Sequence, residues 1–241
     1  MKQFPKTEIF SLFSMVAGFA GMAMQTWLFS TADVHGLLDH GHISGIISYL
    51  LLAAVLTVSI LSLKNTKSDG TYDSLFPRSI AAAVGCWIAA VGMGAASFIP
   101  VSTGFLRILV RVFGALSTMA LGYAGYCRFR GLRPNCLIYA AVAVYLIFRT
   151  LTFCQVWSAD VQVQHFFFPL LGSLSLLMAA YYRAALGADL KNCREYLFFR
   201  QLALFCCLLS LAGGDRLFFF AGAVWMATDF CIPSAAGKYA R

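Results

Sequence analysis

The chain has 241 residues, 60% hydrophobic and only 12% charged, with a mean hydropathy of +0.77 and a formal net charge of +8. Soluble domains carry about twice that share of charge. So little charge cannot coat a water-exposed surface, which excludes a soluble domain, a disordered chain, a fibrous protein and a disulfide-rich secreted module.

A helix needs about 20 mostly apolar residues to cross a hydrocarbon core roughly 30 Å thick. Eight stretches qualify in chain order: 9–30, 43–63, 79–99, 105–126, 136–157, 166–186, 196–213 and 216–232. The first follows Lys2 and Lys6 but is too long for a signal-peptide core, so it reads as a retained helix. Pro77, Pro100 and Pro134 fall at expected helix ends, whereas Pro169 lies inside the sixth stretch and predicts a kink. Gly213, Gly214, Asp215 and Arg216 form a turn signal between the last two stretches. One helix across 196–232 would run about 55 Å, too long for a single crossing. A hairpin of two short helices fits better. Seven crossings, with one of the pair re-entrant, is the alternative. No repeat or linker divides the chain, so residues 1–241 read as one all-α, polytopic transmembrane bundle.

Charge placement predicts orientation. With the N-terminus in the cytoplasm, every second loop is basic and both termini lie inside. Only Arg107, Arg111, Arg149 and Arg216 then fall in the outer half. Asp33, Asp39, Asp160 and Asp215 balance them, so the whole net charge belongs to the cytoplasmic face. That face suits anionic lipid headgroups, and no nucleic acid is needed to explain it. Arg128-Phe129-Arg130 reads the same way.

Eight cysteines are present without a CxxC pair, which suggests small packing residues. Small residues crowd the third and fourth stretches, including Gly85, Gly92, Gly94, Gly114 and Gly125, and both helices are expected in the interior, with a dimerisation face as the alternative. The Phe166–Phe168 and Phe218–Phe220 runs are expected to face lipid or the interface, and Trp27, Trp157 and Trp225 to form an aromatic belt.

Two outer constellations could carry chemistry. His35, Asp39, His40 and His42 combine imidazole and carboxylate, the ligands of a transition metal. A metal-dependent membrane enzyme is one reading of that loop. A polar interfacial loop is the other. The second constellation is Arg111, Arg149 and Arg216 with Asp215. A charge at membrane depth faces the bundle interior, a partner or water. Either the acids neutralise these arginines, as in a scaffold or accessory subunit, or the arginines line an outward-facing pocket for a small anionic solute. Guanidinium suits carboxylate and phosphate geometry. No HExxH, GxSxG, Walker A or strand-borne GxGxxG occurs, so the sequence calls for no cofactor and favours binding or transport over catalysis. Asp229, near the inner end of the last stretch, is expected to pair with Lys238 or an inner-loop arginine. Oligomeric state is left open.

Several segments carry a resemblance. They are Phe153–Asp160, Phe166–Leu171, Tyr181–Ala185, Leu208–Gly213 and Leu217–Asp229, with Trp27, Gly36-Leu37-Leu38 and Gly41-His42. Together they resemble a family of uncharacterised polytopic membrane proteins of Gram-positive, clostridia-like gut bacteria. In that family's pattern an Arg often stands where this chain has Gln155, and a Pro where it has Val161. The resemblance implies a source and a membrane location, with no activity, cofactor or binding residue attached.

Overall fold

The computed structural model describes residues 6–31, 42–64, 72, 76–99, 104–158, 163–190 and 193–229. Among these residues there are eight helices of 13 or more residues and no strand. They are α1 (Lys6–Ser30), α2 (Ile43–Lys64), α3 (Ile80–Phe98), α4 (Phe105–Arg130), α5 (Cys136–Trp157), α6 (Val163–Gly187), α7 (Cys193–Ser210) and α8 (Arg216–Thr228).

The ends follow local chemistry. The Ser79 hydroxyl accepts from the Ala82 amide at 3.3 Å, and the Asn135 side chain accepts from the Leu137 amide at 3.1 Å. Each satisfies an amide that the first helical turn leaves without a partner. Helix α4 stops at Gly131, whose φ of +74° a side chain would resist. Leu132 then closes the end by donating to the Cys127 carbonyl at 2.8 Å. Pro169 sits within α6, and the helix continues on both sides of it.

Six helices, α1 to α6, are long and apolar enough to cross a membrane. Their outer faces present large apolar side chains, such as Val91 at 71% exposure and Met119 at 68%. Polar and charged groups including Arg149, Arg183 and Arg200 are buried instead. That distribution inverts a soluble protein and suits lipid surroundings.

Helix α7 fails the composition test because Arg194, Glu195 and Arg200 lower its hydropathy. It is nevertheless the most enclosed element, with nearly every residue from Tyr196 to Ser210 buried. It packs against α1, α2, α6 and α8. A helix surrounded by other helices need not be apolar toward lipid. Helix α8 has 13 residues, about 20 Å of rise. It turns back from α7 through Gly213-Gly214 and wedges between α7 and α3. A hairpin of short helices is thus what forms, buried inside the bundle.

The wedge depends on small residues. A Cβ on Gly92 would come within 2.7 Å of the Ala221 Cβ, and one on Gly85 within 2.6 Å of the Thr228 Cβ. Helix α3 is accordingly interior on one face. Helix α4 is not: it packs on α3 and α5 and leaves most of its surface outward, which corrects the expectation from its glycines. Those glycines serve one seam with α3, where Gly114 meets Ser97 and Gly125 meets Trp87. The phenylalanine expectation is corrected as well. Phe168, Phe218 and Phe219 are buried, while Phe220 is exposed. Trp225 is buried in the core and Trp27 is exposed. The Trp157 side chain lies outside the described residues.

Candidate functional site

One end of the bundle joins α5, α6 and the turn between α7 and α8. Arg149 projects from α5 and is 1% exposed. Its guanidinium pairs with the Asp215 carboxylate. The Phe153 and Phe218 rings hold it at 5.0 and 5.6 Å from their centroids. Asp215 stands at the N-cap of α8 but makes no capping bond. Its carboxylate is turned to Arg149 instead. A negative charge at a helix N-terminus is favoured by the aligned peptide dipoles, which supports this placement. Phe153 and Phe219 stack at 5.8 Å, so the run expected at the lipid forms the floor around the ion pair.

Beside this pair lies a cavity of about 450 Å³. Asp215, Arg216 and His165 are its polar lining, from the α7–α8 turn and the first turn of α6. Ile99, Phe153, Val156, Pro169, Leu217 and Phe219 form its apolar walls. Arg216 is exposed, and its Nε donates to the Gly213 carbonyl at 3.4 Å. No carboxylate among the described residues pairs with it. Arg149 and Asp215 neutralise one another, and Arg216 is the exposed cation of the lining. The sequence-derived set thus divides. Arg149, Asp215 and Arg216 come together. Arg111 is half-buried on α4 and does not line this cavity.

The proposed metal loop is mostly beyond reach: His35, Asp39 and His40 lie outside the described residues. His42 is described. Its Nδ1 is 2.6 Å from the Ser44 hydroxyl, and its ring packs edge-on to Trp27 at 5.3 Å. Among the described residues no three His, Cys, Asp or Glu side chains cluster as metal ligands would.

A second charged site forms at the opposite end of α8 and was not foreseen. Asp229, 1% exposed, caps the C-terminus of α8. Arg183 of α6 pairs with it at 2.9 Å, and Arg128 of α4 approaches at 3.6 Å. The Tyr196 hydroxyl donates to the same carboxylate. Arg200 of α7 donates to the Met226 carbonyl at 3.0 Å, one turn earlier in α8. Carboxylates are disfavoured at a helix C-terminus, where carbonyl dipoles are already negative. Convergent guanidinium groups offset that cost. Arg183 is also enclosed by rings: Phe76 lies 3.3 Å from its central carbon, and Tyr72, Tyr139 and Tyr196 lie at 5.2 to 5.4 Å. Arg128 additionally donates to the Pro77 carbonyl at 2.8 Å, tying the segment before α3 to the cluster. Asp229 pairs with Arg183 and Arg128, which lie within helices rather than in a loop as the sequence suggested. The depth of those arginines was missed. The available signal was the position of Arg183 and Arg200 inside helices rather than in loops.

Comparison with protein families, with curated proteins and with solved structures gives no match.

Proposed function

We propose that this integral membrane protein binds, or moves, a small anionic solute through the outer cavity. The cavity of about 450 Å³ beside the Arg149–Asp215 pair, with Arg216 on its wall, carries this reading. In it, Arg216 meets the anion. Arg149 orients Asp215 and fixes the turn that carries Arg216. Arg111, once grouped with them, would act at most from a separate face of α4. The reading includes eight crossings with both termini in the cytoplasm of a bacterial plasma membrane, which the distribution of basic residues supports. It also places the exposed arginines of the inner face against anionic lipid. Arg78 stacks over Phe129 at 5.5 Å and Arg130 over Tyr126 at 5.7 Å, both beside lipid-facing helix surface. Kinship with the clostridial membrane proteins belongs to the same proposal.

The test uses proteoliposomes and radiolabelled benzoate as the probe. Wild-type protein should retain more label than empty liposomes, and Arg216→Gln should lose most of that excess. Equal retention by wild-type, Arg216→Gln and empty liposomes rejects the reading. A second reading, a scaffold or accessory subunit with paired charges, is favoured by the closure of Arg149 on Asp215 and of Arg133 on Asp189. It predicts no retention above empty liposomes, with stability lost when either pair is broken.

A further inference from the structure

We infer that the ligand of the outer cavity is an amphiphilic carboxylate, an anion carrying an alkyl or aryl body, rather than an inorganic or strongly hydrated anion. This rests on the reading of the cavity as an anion site and adds the class of anion.

Its charge is small. The Arg149 guanidinium is committed to Asp215 and held between Phe153 and Phe218. Asp215 itself lines the cavity and repels a second negative charge nearby. One exposed guanidinium, Arg216, remains to face the anion, with the His165 ring as the other polar group on the wall. Phosphate or sulfate sheds a large hydration shell on entering such a site, and a single guanidinium does not replace it. A monovalent carboxylate sheds less and fits the guanidinium fork with two parallel hydrogen bonds.

The rest of the wall is hydrocarbon. Phe153, Val156, Leu217 and Phe219 offer faces and edges of apolar groups. These groups gain nothing from an inorganic ion and gain from each methylene or ring carbon they cover. The polar and apolar parts are also adjacent in the chain: Asp215 and Arg216 are followed directly by Leu217 and, two residues on, by Phe219. One turn of α8 therefore presents head and body of the site together. The volume is within the usual range for small-molecule pockets, roughly 300 to 1,000 Å³. An acetate-sized ion would leave most of it unfilled.

Isothermal titration of the detergent-purified full chain tests this. The probes are acetate, butyrate, hexanoate and benzoate, with phosphate, hexanol and hexylamine as comparisons, and heats of dilution into empty micelles subtracted. Burial of about 0.8 kcal/mol per methylene corresponds to an affinity gain of roughly fourfold per carbon from acetate to hexanoate. Hexanoate and benzoate should bind far more tightly than phosphate, hexanol or hexylamine. Leu217→Ser, at a partly exposed wall position, should reduce the gain per carbon. An unchanged melting temperature shows that this variant still folds. Acetate or phosphate binding as tightly as hexanoate overturns the inference and leaves the anion site standing. Hexanol matching hexanoate overturns it by showing that the head is not recognised. If none of the probes binds, both the inference and the anion-site reading fall.

Discussion

Arg183 donates to a carboxylate while aromatic rings surround its guanidinium. A charge count along the chain treats such a residue as part of a cytoplasmic loop. The structure takes it out of water, together with Arg128 and Arg200. Removing the shared acid is therefore costly. Asp229→Asn leaves buried guanidinium groups facing a neutral amide and should destabilise the fold by about 3–5 kcal/mol, seen as a lower melting temperature in detergent. Arg183→Lys keeps the charge but loses the planar stack, with an expected loss of about 2 kcal/mol. A melting temperature unchanged by both substitutions would show that the cluster does not hold α8 in place. At the other end of α8 the same logic applies to a single pair: Arg149→Ala should unfold the protein more readily than Arg216→Ala, because Arg149 is buried and Arg216 is exposed. Arg149, Asp215 and Arg216, grouped from sequence, come together in the structure. Arg111 does not join them, because helix rotation about α4 decides which wall an arginine reaches and one sequence does not fix that rotation.

Helix boundaries were read closely because they rest on local causes. A run of apolar residues ends where Pro, Gly or charge makes the next turn unfavourable, as at Gly131 and at Gly213-Gly214. What each helix faces is a tertiary property, and there the sequence misled. Glycine-rich α3 and α4 look alike in composition and each packs against two helices, yet α3 buries most of one face while α4 turns much of its surface outward. The two kinds of glycine separate by experiment. Gly92→Ala would force a methyl group against Ala221 across the α3–α8 seam and should cost about 1–3 kcal/mol. Gly122→Ala meets no atom within 4 Å and should be neutral or stabilising by up to about 1 kcal/mol. Comparing the two melting temperatures checks the seam, and equal shifts would contradict it. Apolar character also failed to tell lipid from core for Phe218 and Phe219, since both environments select the same side chains.

For the whole molecule, the opening composition acquires a physical meaning. Apolar side chains clothe the outside, and the buried charges among the described residues are gathered at the two ends of α8. Asp215 is clasped by Arg149 at one end, and Asp229 by Arg183 and Arg128 at the other. The shortest helix is thus fixed by ion pairs to α5, α6 and α4, and by small-residue contacts to α3. Orientation has its own check in the free thiols. Cys154 is exposed near one end of α5, and the half-buried Cys136 opens the other. With both termini inside, a membrane-impermeant maleimide added to intact cells should label the chain at Cys154, and Cys154→Ser should remove most of that label. Labelling that survives Cys154→Ser and is lost with Cys136→Ser would invert the topology.

The central claim is that the outer cavity holds an organic anion against Arg216, and a located ligand tests it most directly. Crystals grown with 4-bromobenzoate give an anomalous bromine signal. The account predicts a bromine peak among Phe153, Leu217 and Phe219, with the carboxylate toward Arg216, and no such peak in Arg216→Gln crystals. A cavity without bromine in the wild-type protein, or a peak that persists unchanged in Arg216→Gln, would contradict it.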